Sequence, residues 1–164
     1  MRSQAWVPLA ATFISIEFTL ALLRRWRLSR RSYLRSWLIS FVFFTAGTGA
    51  LWYGVAFGWS SPSLRLYYLC GAFLSVPWLA QGELELLMPP KTARILLFFL
   101  VLISVNSVFV FGAVPFVREA VVSGTAIPRG KEFFPTWVIV GVILSNALGT
   151  LVVCTAFRNP TVLG

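Results

Sequence analysis

Apolar residues along the chain gather into five runs parted by short polar stretches: Trp6 to Leu23, Trp37 to Trp59, Leu66 to Met88, Ile95 to Val117 and Phe134 to Phe157. Their lengths are 18, 23, 23, 23 and 24 residues. Roughly 20 residues at about 1.5 Å rise cross a hydrocarbon core of about 30 Å, so each run is long enough to span a bilayer, the first being the shortest. The runs lack the period-two alternation and ~10-residue length of barrel strands, and in lipid a helix satisfies every backbone N–H and C=O within one segment. The pattern predicts an all-α membrane protein, a bundle of about five transmembrane helices forming a single domain over residues 1–164. The connections are too short to fold into a separate soluble domain, and no internal repeat of the transporter type is visible.

Composition supports the class. Hydrophobic residues make up 58% of the chain, charged residues 12%, and mean hydropathy is +0.82, against about half apolar and a quarter charged in soluble domains.

Charge then gives orientation. The segment "RRWRLSRRSYLR" carries Arg24, Arg25, Arg27, Arg30, Arg31 and Arg35, whereas only Arg2 precedes the first run. By the positive-inside rule residues 24–36 are expected in the cytoplasm, with the N-terminus outside and the C-terminus cytoplasmic. Nine basic residues then lie inside and five outside. Because the arginines follow the first apolar run instead of preceding it, that run reads as a retained signal anchor and not a cleaved signal peptide. The net charge of +9 is explained by this segment: it marks topology and attracts anionic lipid headgroups, and nucleic acid is not an expected partner. Trp6, Trp26, Trp37, Trp59 and Trp137 fall near predicted span ends, as interfacial indoles do; Trp52 and Trp78 do not.

Several chemistries lack their residues. The chain has no histidine and no aspartate, which removes the usual haem and zinc ligands and any Ser-His-Asp arrangement. Both lysines fall in connections, and no Cys-x-x-Cys, phosphate-binding glycine loop or Gly-x-Ser-x-Gly occurs. No cofactor or metal is expected, nor an enzymatic role. Cys70 and Cys154 fall near opposite ends of their runs, so two free thiols are expected.

The polar residues inside the runs are the candidates for function. Glu17 lies six residues before Leu23, about 9 Å deep at helical rise; a charge there should face the interior, pair or be protonated. Glu83 falls at similar depth, with Gln81 nearby, and two close carboxylates can share a proton. Glu85 is nearer the boundary. Glu83 and Glu85 are about 200° apart around a helix, so the expected arrangement has Glu83 or Glu17 inward and Glu85 at the interface. The alternative has Gln81 and Glu85, four apart, lining the interior together. Asn106 and Asn146 sit near the midplane of consecutive helices, either as interhelical hydrogen bonds or as coordinators in a polar cavity opened by Pro77 and Pro115. Small residues at Ala46, Ala50, Gly54 and Gly58, and again at Gly141, Ser145 and Gly149, form stripes suited to close helix contact.

"LRLYYLCGAFLSVPWLAQGELELL" together with "SNALGTLVV" resembles segments of uncharacterised bacterial multi-pass inner-membrane proteins, and that resemblance implies a bacterial inner-membrane location but no activity. The five-helix, tryptophan-rich outline is also similar to the translocator protein family, which implies a helical bundle; that family's Trp/Pro-rich motifs are not matched, so no site residue is carried over. Two functions are compatible with these observations: a non-enzymatic membrane module acting as a subunit, sensor or scaffold, with a membrane-protein partner or a second copy of itself, or a small transporter or channel for protons, ions or a small solute.

Overall fold

In the computed structural model, residues 5–113 and 135–158 are described, and within them all regular structure is helical. The helices are α1 (Trp6–Ser29), α2 (Ser32–Phe57), α3 (Ser61–Leu66), a π-helical segment (Tyr67–Leu74), α4 (Ser75–Leu87), α5 (Pro90–Ala113) and α6 (Thr136–Arg158). α1, α2 and α5 are long and apolar enough to cross a membrane. The end of the fourth expected run, residues 114–117, lies outside the described residues, as does Pro115.

The arginine segment is not the loop its charge pattern predicts. α1 continues through Arg24, Arg25 and Arg27 to Ser29, and only Arg30 and Arg31 connect it to α2, where Arg35 is already helical. Arginine is a good helix former, so nothing in the run itself stops the helix. The stop comes at Arg30, in the left-handed region at φ 51°, whose N–H bonds the Trp26 carbonyl at 2.7 Å. Its guanidinium lies 4.9 Å from the centre of the Trp26 ring, a cation–π contact that favours this turn.

The third rod begins at Ser61, earlier than its apolar run. Ser60 and Ser63 cap each other reciprocally, the Ser60 N–H donating to Ser63 Oγ at 2.9 Å, and Pro62 fits the first turn, where no amide donor is needed. The rod then runs through pieces of 6, 8 and 13 residues, helical throughout. The wide π turns precede Pro77, and the Ser75 N–H reaches back to the Cys70 carbonyl, five residues away. A proline ring collides with the carbonyl four residues earlier and offers no N–H; an inserted π register relieves both problems.

This rod is the centre of the molecule. α2 packs along its length, α5 and α6 pack on its other sides, and α1 packs chiefly on α2. At the end opposite the arginine turn, Trp59, Leu64, Phe111, Val138 and Val142 form a buried cluster joining the α2–α3 connection to α5 and α6.

The small-residue stripe of α2 is shifted from its expected position. The close backbone-to-backbone contact is at Gly47, where an added Cβ would come within 2.5 Å of Gly71 Cα in the third rod. Ala50 and Gly54 are buried, but the neighbour of Gly54 is the Trp59 ring, 2.5 Å from an added Cβ. Gly58 lies beyond the helix at φ 103°. Ala46, one position from Gly47, is half-buried. On α6, an added Cβ on Gly149 would meet Val76 Cγ1 at 2.6 Å, whereas Gly141 is 3.9 Å from Phe73 Cε2 by the same measure.

Candidate functional site

Among the described residues, the polar residues of the apolar runs divide among three places. The first is the seam between the third rod and its neighbours. Pro77 withholds a donor that would fall to the Ala72 carbonyl in π register or the Phe73 carbonyl in α register. Both carbonyls are met from α6: Asn146 Nδ2 donates to Ala72, and Ser145 Oγ donates to Phe73 at 3.4 Å. From the α2 side, Ser40 Oγ donates to the Ser75 carbonyl at 2.7 Å, and within the rod Ser75 Oγ donates to Gly71 at 2.8 Å. The irregular backbone is therefore tolerated in the packed interior because neighbouring side chains complete it. Asn146 also donates to the Val142 carbonyl of its own helix at 2.8 Å. On the α5 side, buried Trp78 Nε1 donates to Ser104 Oγ at 3.0 Å, which gives that non-interfacial tryptophan a structural task.

The second place is the end of α4 near the arginine turn. Here the structure takes the alternative arrangement, with Gln81 and Glu85 on one inward face. Gln81 is 2% exposed and its Nε2 donates to the Ala93 carbonyl of α5 at 3.0 Å and, at 3.4 Å, to Glu85 Oε1. Ser36 Oγ of α2 donates to the same Oε1 at 2.9 Å, while Glu85 Oε2 is buried without a hydrogen-bond partner. Glu83 is half-buried and lies off this face. Depth alone misassigned these residues because the helix face is set by Gly82, against which the Trp37 ring of α2 packs so closely that an added Cβ would lie 2.2 Å from Trp37 Cδ1. The sequence pattern marks Trp37 only as an indole near a predicted span end and gives Ser36 and Gly82 no role; the signal for them is a small residue, Gly82, beside the two carboxylates.

The third place is the outer surface. Glu17 is exposed on α1. The side of α1 facing α2 is taken by Ser15 and Thr19, whose hydroxyls lie 3.4 Å from Thr48 Oγ1 and 3.1 Å from Thr45 Oγ1. Glu17 is two residues from each and hence about 200° away. Asn106 is also exposed, at the edge of a shallow pocket of about 160 Å³ with Phe73, Trp137 and Gly141. Glu17, Glu83, Asn106 and Asn146 do not gather around one cavity.

The largest of the cavities described, about 420 Å³, is an apolar groove between α4, α5 and α6, walled by Pro77, Leu84, Phe99, Ile103 and Leu148 and touched by Gln81. Cys70 is buried and Cys154 exposed, and both are free thiols. Among the described residues no group of three His, Cys, Asp or Glu is placed to hold a metal ion. The chain matches no family model, no curated protein and no solved structure, so the functional reading rests on the geometry above.

Proposed function

We propose that this chain is a non-enzymatic subunit or scaffold of a multi-pass membrane assembly, with five spans, the N-terminus outside and the C-terminus in the cytoplasm, most simply in a bacterial inner membrane. The orientation is supported by the arginine asymmetry, and the bacterial setting by the resemblance noted in the third rod and α6. One observation carries the subunit role. Glu17 stands on the exposed side of α1 among Phe13, Ile14, Phe18 and Leu20, all exposed as well. A carboxylate against hydrocarbon costs about 2.5–3.5 kcal/mol on insertion scales, and α2, the chief neighbour of α1, does not cover it. A protein surface offering a donor or a cation to Glu17 removes that cost, and a partner helix or a second copy of this chain provides one.

Transport is less well supported. Apart from Trp78, which donates to Ser104 Oγ, the polar side chains at the seam bond to helix backbone, and the apolar groove offers a solute almost no polar lining.

A photo-crosslinking residue at Ala21, one turn from Glu17 on the exposed side, tests the reading in intact membranes. The subunit role predicts a discrete protein adduct, at twice the chain mass if the partner is a second copy. Adducts with lipid alone would overturn it.

A further inference from the structure

The groove between α4, α5 and α6 is walled by hydrocarbon, and no charged residue lines it; its two polar side chains are Gln81 of α4 and Ser145 of α6. We propose that it binds a neutral lipid carrying one free hydroxyl, with the chain along Phe99, Ile103 and Leu148 and the O–H donating to Gln81 Oε1.

Gln81 Nε2 donates to the Ala93 carbonyl at 3.0 Å and to Glu85 Oε1 at 3.4 Å. Those partners fix the amide, because a flipped amide would set its oxygen against two acceptors. Oε1 accepts no hydrogen bond and, unlike Glu85 Oε2, is not sealed off. The residue is only 2% exposed, and of the cavities described it lines this groove alone. An unmet acceptor in apolar surroundings is costly. Ser145 commits its hydroxyl proton to the Phe73 carbonyl at 3.4 Å. Both polar groups therefore offer lone pairs and no hydrogen, so the complementary ligand is a donor on an apolar body.

Position and size narrow its class. Phe99, Ile103 and Leu148 are each more than half exposed, so the groove opens on the apolar outer surface and takes its occupant from the bilayer. Gln81 lies seven residues before Met88, about 10 Å inside the expected span at helical rise. Charge is costly there, which keeps a phospholipid headgroup out and admits a neutral hydroxyl. The volume of about 420 Å³ lies in the range of small-ligand pockets. One turn of a helix about 10 Å across and about 5.4 Å long already fills that much, so the groove suits a lipid chain and not a spanning partner helix. The inference is independent of the partner proposed for α1.

The full chain in phosphatidylcholine nanodiscs, photolabelled with a diazirine-bearing hexadecanol or with its methyl ether, tests this. The alcohol is expected to label the α5 and α6 walls of the groove, and the ether, which lacks only the donor, to label them up to about tenfold less. Leu148→Trp fills the groove from its exposed rim and should bring labelling by the alcohol down to the level of the ether. Ile143→Trp, at an exposed position of the same helix outside the groove, should match the wild type. Thermal unfolding checks both variants, and if Leu148→Trp does not fold, the comparison of alcohol with ether on the wild-type chain decides. Unlabelled hexadecanol and dioleoylglycerol serve as competitors: competition by either supports the site and tells a single-chain alcohol from a diacylglycerol, and competition by neither overturns it. Equal labelling by alcohol and ether, or labelling spread over the outer surface and unchanged by Leu148→Trp, would overturn the proposal. Labelling of the groove in nanodiscs but not in native membranes would assign it to a protein partner and overturn the lipid assignment.

Discussion

Asn146 of α6 donates through Nδ2 to the Ala72 carbonyl of the third rod, a group whose backbone donor in π register would have been Pro77. A proline in one helix and an asparagine in another thus form one unit: the first disturbs the backbone and the second completes it.

Asn146→Ala should lower stability in detergent by about 1 kcal/mol, the scale of an interhelical hydrogen bond in a membrane protein. Asn106→Ala, at an exposed position, should stay within about 0.5 kcal/mol of the wild type. Reversible unfolding in mixed micelles reads both, and equal effects would show that the seam has no special role.

The coupling between the two helices gives a sharper test. Pro77→Ala restores an N–H, so it should diminish the cost of Asn146→Ala, and the double-mutant cycle should return an interaction energy of at least about 0.5 kcal/mol. Additivity would separate the proline from the asparagine.

Gly47→Ala places a methyl against the Gly71 backbone and should destabilise by about 1–3 kcal/mol. Two residues along α2, Gly49→Ala meets nothing closer than Thr12 Cγ2 at 3.9 Å, and the better helix propensity of alanine should leave it neutral or slightly stabilising. Thermal unfolding of the pair would reveal a misplaced crossing if the order were reversed.

These contrasts also show what sequence can and cannot convey. The helical runs were legible because lipid leaves the backbone few alternatives, and length and hydropathy report that constraint directly. Helix faces were harder. Ala46 and Gly47 are one residue and about 100° apart, and only the crossing with Gly71 selects the second. Spacing alone puts Gln81 and Glu85 on one face, but which side of α4 turns inward depends on the Trp37 ring against Gly82, a contact between distant segments. The extension of α1 through its arginines was hidden because charge marks the membrane boundary and not the helix end. Position along the run gives the depth of Glu17 and nothing more; its outward direction follows from Ser15 and Thr19 taking the α2 contact.

The orientation is open to labelling. In a background with Cys70 and Cys154 replaced by serine, a cysteine at Ser3 should react with an impermeant maleimide from outside intact cells, and one at Ser32 only after permeabilisation. The reverse pattern would invert the topology.

The central claim is that the Glu17 side of α1 is covered by protein. A spin label at Ala21, with Glu17 retained, reports its surroundings through collision with molecular oxygen, which concentrates in lipid, and with a water-soluble nickel chelate. In native membranes the account predicts low accessibility to both, rising toward oxygen when the purified chain is diluted alone into lipid. High oxygen accessibility in native membranes would place the face against lipid, and high nickel accessibility would place it in a water-filled path; either result would contradict the account.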